Sequence, residues 1–205
     1  NVLDSLFVVR VVDRDSNAVF NASVQFAISQ APAGAAGQSL STTNSATDSL
    51  GQASTRLTLG SKTGTYQVTA TSGGLGGSPR TFNALAQAAA ARFLANKSGS
   101  GQQKTVATLL DTAFVTRVTD IGGNPVAGVL VRFAITSTPS GSTGQSLSAA
   151  IDTTDLNGEA ATVLTLGTKA GVYNVRSVSS AVAGDSAIFS ARGTAAAASA
   201  IAKLS

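Results

Sequence analysis

The second part of the chain repeats the first at a constant offset of 107 residues. Residues 4–86 align with residues 111–193 without a gap, and 36 of the 83 aligned pairs are identical. Internal repetition at a fixed period indicates tandem copies of one structural unit. Each unit has about 100 residues, which is the usual size of an immunoglobulin-like sandwich.

Each unit has the residue pattern of short β-strands. Val24, Phe26 and Ile28 alternate with more polar or smaller residues, and the same alternation returns in residues 131–135. An alternation of period two places one face of a strand in a core. Turn sequences such as Asp48-Ser-Leu-Gly51 and Asp155-Leu-Asn-Gly158 separate these segments. We therefore predict an all-β fold of two tandem immunoglobulin-like β-sandwiches in an elongated rod, with about seven strands each.

The phase of the repeat predicts the domain boundaries. Residues 1–87 are expected to form a sandwich that lacks its first strand, because Asn1 aligns with Thr108. Residues 88–194 are expected to form a complete sandwich. Residues 195–205 align with residues 88–98 and are expected to be the opening strand, that is, the first strand, of a further repeat. The Ala-rich residues 86–91 are too short for a stable helix and are interpreted as a linker.

The motifs of the second unit, in their order, resemble the bacterial immunoglobulin-like domains of group 1, which occur in tandem in surface adhesins of the invasin and intimin type. The resemblance rests on these segments: Phe114-Val-Thr-Arg-Val-Thr-Asp120, Gly123-Asn-Pro-Val-Ala-Gly128, Thr154-Asp-Leu-Asn-Gly-Glu-Ala160, Leu164-Thr-Leu-Gly167 and Gly171-Val-Tyr-Asn-Val175. The first unit departs from the pattern at residues 14–20, where the Gly-Asn-Pro turn is lost. The resemblance implies an extracellular stalk that presents a separate recognition domain.

Two tyrosines agree with the sandwich interpretation. In immunoglobulin domains, a Tyr two residues before a core Cys hydrogen-bonds back to the backbone and fixes a corner of the fold. Tyr66 and Tyr173 lie two residues before Val68 and Val175, which would occupy the Cys positions. We interpret both tyrosines as structural residues.

The sequence offers no residues for the usual catalytic sites. The chain contains no His and no Cys, so Ser–His and Cys–His pairs are excluded. Its single Glu, Glu159, accompanies nine Asp residues, and several of these fall in duplicated turns. We therefore predict no enzyme, no catalytic residues, no cofactor and no metal.

A calcium site is the alternative left open. Asp152, Asp155 and Glu159 lie within eight residues of one another, and oxygen ligands suit calcium. The spacing differs from that of an EF-hand loop, and the first unit has Asn44, Asp48 and Gln52 in the corresponding segment. A hairpin turn is the preferred interpretation of this cluster.

Charge and hydropathy limit the partners. The formal net charge is +4, but the 14 Lys and Arg residues are scattered singly, unlike the clustered basic face of a nucleic-acid-binding protein. The sequence has no run of 18 apolar residues, so no membrane span is expected in it. The resemblance to surface adhesins implies an extracellular location at the bacterial cell surface.

The predicted function is that of a non-catalytic spacer repeat in a cell-surface or secreted adhesin-like protein. Its expected partners are neighbouring identical repeats or copies of the same chain. Two alternatives remain open. In the first, the terminal residues of one chain complete the first unit of another, which builds a filament by strand exchange. In the second, loops that differ between the units, at residues 14–21 and 73–80, bind a host or matrix protein.

Overall fold

The structure, a computed structural model, describes residues 1–201. Within this part of the chain the secondary structure is entirely β, and no helix is long and apolar enough to cross a membrane. The chain divides into two compact units, the first Asn1–Ala88 and the second from Ala89 onward.

The first unit contains eight strands. They are β1 (Phe7–Arg10), β2 (Ser23–Gln30), β3 (Ser39–Leu40), β4 (Asn44–Ala46), β5 (Gln52–Thr55), β6 (Leu57–Thr58), β7 (Gly64–Thr71) and β8 (Arg80–Ala86). One sheet has the order β4-β2-β7-β8, and two smaller sheets pair β1 with β5 and β3 with β6. Every pairing between these strands is antiparallel.

The second unit contains ten strands. They are β9 (Phe93–Ser98), β10 (Gln102–Thr105), β11 (Phe114–Thr119), β12 (Leu130–Ser137), β13 (Ser146–Leu147), β14 (Ile151–Thr153), β15 (Glu159–Thr162), β16 (Leu164–Thr165), β17 (Gly171–Val178) and β18 (Ser186–Thr194). One sheet has the order β10-β18-β17-β12-β14 and another the order β15-β11-β9, while β13 pairs with β16. β10 runs parallel to β18.

Each unit has a hydrophobic core of its own between its sheets. In the first unit Phe7 of β1 stacks on Phe82 of β8 with ring centroids 4.9 Å apart. In the second unit Phe114 stacks on Phe189 in the same way at 5.0 Å. Each pair joins two different sheets, so both units are sandwiches, and the all-β immunoglobulin-like fold expected from the sequence is confirmed.

The units contain more strands than the seven expected, because some strands change sheets along their length. β5 pairs with β1, but after Arg56 the chain continues as β6 and pairs with β3. β15 and β16 are separated in the same way at Val163. In the second unit the opening strand also divides: β9 pairs with β11, and after Gly99 and Gly101, both at positive φ, β10 pairs with β18.

The predicted linker and the predicted opening strand of a further repeat lie in residues 86–91 and 195–205. Of residues 86–91, which the sequence predicted as a linker, Ala86 ends β8 and residues 87–91 form neither helix nor strand. Residues 195–201 form no regular secondary structure. Residues 202–205, which would hold most of the opening strand predicted within 195–205, lie outside the described residues.

Candidate functional site

Asp13 and Asp120 occupy equivalent turns, and their carboxylates bind backbone N–H groups of their own loops. Asp120 Oδ1 accepts hydrogen bonds from the N–H groups of Gly122 (2.8 Å) and Asn124 (2.9 Å). Asp13 Oδ1 accepts equivalent bonds from Asp15 and Asn17, both at 2.9 Å. These carboxylates hold turns, as the sequence analysis expected for Asp residues at strand ends.

The Asp120 turn also fixes the start of the second unit. Asp120 Oδ2 accepts the backbone N–H of Ala89 at 3.0 Å, and the residue is only 2% exposed. Burial alone raises the pKa of Asp120, but hydrogen bonds from the Asn124 side chain and from the N–H groups of Asn124, Ala89 and Gly122 outweigh it. The pKa of Asp120 therefore lies below its ordinary value of 3.8. Asp13 is exposed, and the Asn17 side chain and N–H lower its pKa in the same direction.

The residues considered for calcium do not form a common site. Asp155 Oδ1 accepts the N–H groups of Asn157 (2.8 Å) and Glu159 (3.0 Å), and the bond from Glu159 is the main cause of a lowered Asp155 pKa. Asp152 Oδ2 accepts the N–H of Ala161 at 2.8 Å. Glu159 pairs instead with the ammonium group of Lys97 on β9. Among residues 1–201, no three carboxylates come together as a metal site would require.

Both tyrosines fix the corner that the sequence analysis assigned to them. Tyr66 Oη donates to the carbonyl of Lys62 at 2.8 Å, and Tyr173 Oη donates to that of Lys169 at 2.6 Å. Both rings are fully buried. The last glycine of the repeated Leu-Thr-Leu-Gly motif belongs to this corner, because a Cβ on Gly60 would lie 2.9 Å from Tyr66 Oη.

The units differ most at the first strand of their smaller sheet. In the second unit β11 lies between β15 and β9, so both of its edges are paired. In the first unit the equivalent strand, β1, pairs with β5, and no other strand among residues 1–201 pairs with it. β1 is also two residues shorter than β11.

A groove of about 250 Å³ lies beside this edge. We call it the β1 groove, and its lining is mixed, with apolar residues, two glycines, two serines and two arginines: Val9, Arg10, Val11, Val12, Val24, Ala70, Ser72, Leu75, Gly76, Gly77, Ser78 and Arg80. All of these residues belong to the first unit. Loop 73–80, one of the two loops that sequence comparison of the units singled out, forms one side of the groove.

In the second unit, the side chain of Leu94 occupies the equivalent place. Leu94 of β9 pairs with Val118, its N–H donates to Asp185, and it is only 5% exposed within the core. The repeat offset makes Val11 the equivalent of Val118, and Ser78 the equivalent of Asp185. Both Val11 and Ser78 line the β1 groove.

Residues near the β1 groove are more exposed than their equivalents in the second unit, where β9 covers them. Val182 of the second unit is 3% exposed, whereas Leu75, which takes its place in the first, is 42% exposed. Phe7 and Phe82 are only partly buried, whereas Phe114 and Phe189 are fully buried. The first unit therefore leaves apolar surface open along the side where the second unit has its opening strand.

Comparison with solved structures places this geometry in a known fold. FdeC, an Escherichia coli adhesin, matches 91% of this chain over 62% of its own, with 19% identity and a TM-score of 0.58. The fold is the immunoglobulin-like fold of bacterial adhesin domains. The resemblance to the invasin and intimin type of repeat is thus confirmed at the level of the fold. The chain spans about three fifths of the FdeC structure.

Two further solved structures match the chain with lower TM-scores. InvD of Yersinia pseudotuberculosis matches 98% of this chain over 55% of its own, with 18% identity and a TM-score of 0.49. The D0-D1 domain of intimin matches 91% over 86%, with 22% identity and a TM-score of 0.34. No protein-family model and no curated protein sequence matches the chain.

The β1 groove is the feature that sequence reasoning did not locate. The repeat phase predicted that the first unit lacks its opening strand, but not that the remaining residues keep a groove in its place. The signal available was Leu75 in a Gly-rich loop, an apolar residue that the pattern of strand alternation does not explain.

Proposed function

We propose that this chain is a structural, non-catalytic spacer module of a bacterial cell-surface or secreted adhesin-like protein. The observation that supports it best is the repetition of one fold: two immunoglobulin-like units follow each other, each with its own core. Repeats of one domain extend a protein unit by unit. FdeC, a solved structure with this fold, is an adhesin.

The carboxylates support the non-catalytic part of the proposal. A general acid or base needs a carboxyl group that faces a substrate pocket and is free to exchange a proton. Asp13, Asp120 and Asp155 instead bind the N–H groups of their own turns, and their lowered pKa values keep them ionised. Since the chain has no His or Cys, Ser–His and Cys–His pairs do not take their place.

The proposed location and partners follow from the same role. A spacer of an adhesin acts outside the cell, and its nearest partners are neighbouring repeats of the same protein. Recognition of a host or matrix protein would then belong to another part of the protein or to the loops at residues 14–21 and 73–80. No nucleic acid and no cofactor is part of the proposal.

A bead-adhesion assay separates a spacer from a binding module. Beads coated with the chain would be applied to fibronectin, collagen, laminin and cultured epithelial cells. A spacer predicts no adhesion above that of uncoated beads. Saturable adhesion that soluble chain competes away would contradict the spacer proposal.

Matched loop variants identify the surface if adhesion is observed. Residues 14–21 are replaced by residues 121–128, or residues 73–80 by residues 180–187, so that each loop takes the sequence of its equivalent in the other unit. Both exchanges keep the loop length. Loss of adhesion in either variant would assign recognition to that loop and replace the spacer proposal by a binding module.

A further inference from the structure

We propose that the outer face of the five-stranded sheet in the second unit binds an acidic surface of another protein. We call it the arginine face, and it carries three exposed arginines and four exposed aliphatic residues: Leu130, Arg132, Ile151, Val172, Arg176, Ile188 and Arg192. These residues lie on β12, β14, β17 and β18, which all belong to the second unit. The inference goes beyond the spacer role and does not depend on it, because it concerns the side of one unit.

The register of the strands brings these side chains to one face. Residues directly opposite each other in an antiparallel pair point to the same side of the sheet. Each arginine is opposite an aliphatic residue of the face: Arg132 with Ile151, Arg176 with Ile188, and Arg192 with Val172. Arg132 is also opposite Val178, two residues from Arg176, and such diagonal neighbours lie about 7–8 Å apart. Charged and aliphatic side chains therefore alternate across the face.

The positive charge of the arginine face is not neutralised within the second unit. Among residues 1–201, none of its three arginines forms an ion pair. The carboxylates of the unit bond elsewhere: Asp111 with Lys104, Asp120 and Asp155 with their own turns, Asp152 with the Ala161 N–H, Glu159 with Lys97, and Asp185 with the Leu94 N–H. The guanidinium groups are thus available to a partner.

The first unit has the same sheet face without these residues. At the positions equivalent to the arginine face it carries no charged residue, and all but the last of its residues there are neutral and polar: Ser23, Gln25, Asn44, Thr65, Thr69, Thr81 and Leu85. The equivalent strands β2, β4, β7 and β8 pair in the same order. The fold therefore forms without the arginines and without their aliphatic neighbours, so these side chains serve a purpose other than holding the sheet together.

The mixture of charge and aliphatic surface determines the kind of partner. A guanidinium group binds a carboxylate with two parallel hydrogen bonds, so the arginines suit a surface rich in Asp and Glu. Leu130, Ile151, Val172 and Ile188 are 44%, 45%, 51% and 62% exposed. A partner with charge alone, such as a sulfated polysaccharide, would leave them against water, whereas a protein surface also brings apolar side chains to cover them. The arginine face is therefore assigned to an acidic protein surface.

Three polymeric probes test the chemistry of the partner. The full chain is immobilised, and surface plasmon resonance measures its binding of a random glutamate–leucine copolymer, of polyglutamate and of heparin. We expect saturable binding of the copolymer, at least fivefold tighter than that of polyglutamate or heparin, and weaker at high salt because exposed charges are screened. No saturable binding of the copolymer would overturn the proposal. Tighter binding of heparin than of the copolymer would also overturn it, in favour of a polysaccharide.

Two pairs of charge-removing substitutions locate the binding. Arg132→Gln with Arg176→Thr gives the arginine face the residues that the first unit carries at the same positions. Arg56→Gln with Arg92→Gln removes the same charge from two exposed positions outside the face. We expect the first variant to bind the copolymer at least tenfold more weakly and the second to bind it within twofold of the parent chain. Equal losses would mean that binding follows net charge, which would overturn the assignment to this face.

The aliphatic residues are tested separately from the charges. Val172→Thr with Ile188→Thr again introduces the residues of the first unit. We expect this variant to bind the copolymer at least fivefold more weakly and polyglutamate within twofold of the parent chain. Unchanged binding of both probes would mean that charge alone is recognised, and would overturn a protein surface as the partner. Thermal unfolding checks that each variant keeps the stability of the parent chain, as expected because every replaced side chain is exposed.

Discussion

At the scale of single residues, Asp13 and Asp120 show how burial changes the importance of the same turn. Both carboxylates bind the N–H groups two and four residues later. Asp120 is buried and also binds Ala89, whereas Asp13 is exposed. A buried N–H that loses its acceptor costs more than an exposed one, because water does not replace the lost bond.

We therefore predict that Asp120→Ala lowers the free energy of unfolding of the second unit by about 2–3 kcal/mol at neutral pH. Because the pKa of Asp120 is lowered in the folded chain, its contribution is present above the ordinary value of 3.8 and is lost as the pH falls through the folded pKa. Urea unfolding at pH 7, 5 and 3 measures this. The difference between the parent chain and Asp120→Ala should shrink at pH 3.

The equivalent change Asp13→Ala is the control for that prediction, and its effect on the first unit should be smaller. Equal effects of the two variants, or a difference between Asp120→Ala and the parent chain that grows toward pH 3, would contradict the assignment of Asp120 as a buried, ionised acceptor.

The tyrosine corner provides a second prediction at this scale. Tyr66→Phe and Tyr173→Phe each remove one hydroxyl and with it the hydrogen bond to the carbonyl of Lys62 or Lys169. Each variant should lower the free energy of unfolding of its own unit by about 1 kcal/mol. Chemical denaturation measures the change. An effect below about 0.3 kcal/mol in both variants would show that the corner bond is replaced by water.

At the scale of elements, the repeated glycines mark where loops and strands touch. Gly158 has a φ of +72°, and a Cβ there would lie 2.5 Å from the carbonyl oxygen of Val118 on β11. Gly51 makes the equivalent approach to Val11. Gly144 has a similar φ of +78° but open space around it. Gly144 is thus required only because its φ is positive. Gly51 and Gly158 are required because their φ is positive and also because a neighbouring strand leaves no room for a Cβ.

This difference predicts the order of two substitutions. Gly144→Ala should lower the stability of the second unit by about 1 kcal/mol, the cost of an L-residue in the left-handed region. Gly158→Ala should lower it by about 3 kcal/mol or more, because the loop must also move away from β11. Thermal unfolding followed by circular dichroism compares them. Equal effects would mean that the loop at Gly158 moves without cost.

Local features of the elements could be predicted from the sequence, and features that depend on several elements could not. The Asp turns and the tyrosine corner join residues two to four positions apart, so their side chains and spacing are visible in the repeat. The division of β5 from β6 at Arg56 depends on which sheet each half meets. The β1 groove depends on β1, β2, β7 and loop 73–80 together, and only the fold brings Val24, Ala70 and Leu75 to one place.

At the scale of the whole molecule, the two units have the same fold but cores of unequal size. The first unit buries nine hydrophobic residues in its core cluster, and the second buries sixteen. Each buried aliphatic side chain contributes about 1.5–3 kcal/mol relative to an exposed one. The first unit should therefore be the less stable of the two, because β1 and β8 lack the covering that β9 and β10 give to the second unit.

We predict two transitions in calorimetric unfolding of the chain. Gly51→Ala should lower the first transition and leave the second in place, whereas Gly158→Ala should lower the second. A single transition that both variants shift would mean that the units unfold as one body.

The most direct test of the central claim, that this chain is a series of separate structural units, is to pull single molecules by their ends. The account predicts two unfolding events, each lengthening the chain by roughly 300 Å, as expected for about 90 to 110 extended residues. Gly158→Ala should weaken one event and leave the other unchanged. A single event that releases the whole chain, or a gradual extension without events, would contradict the claim.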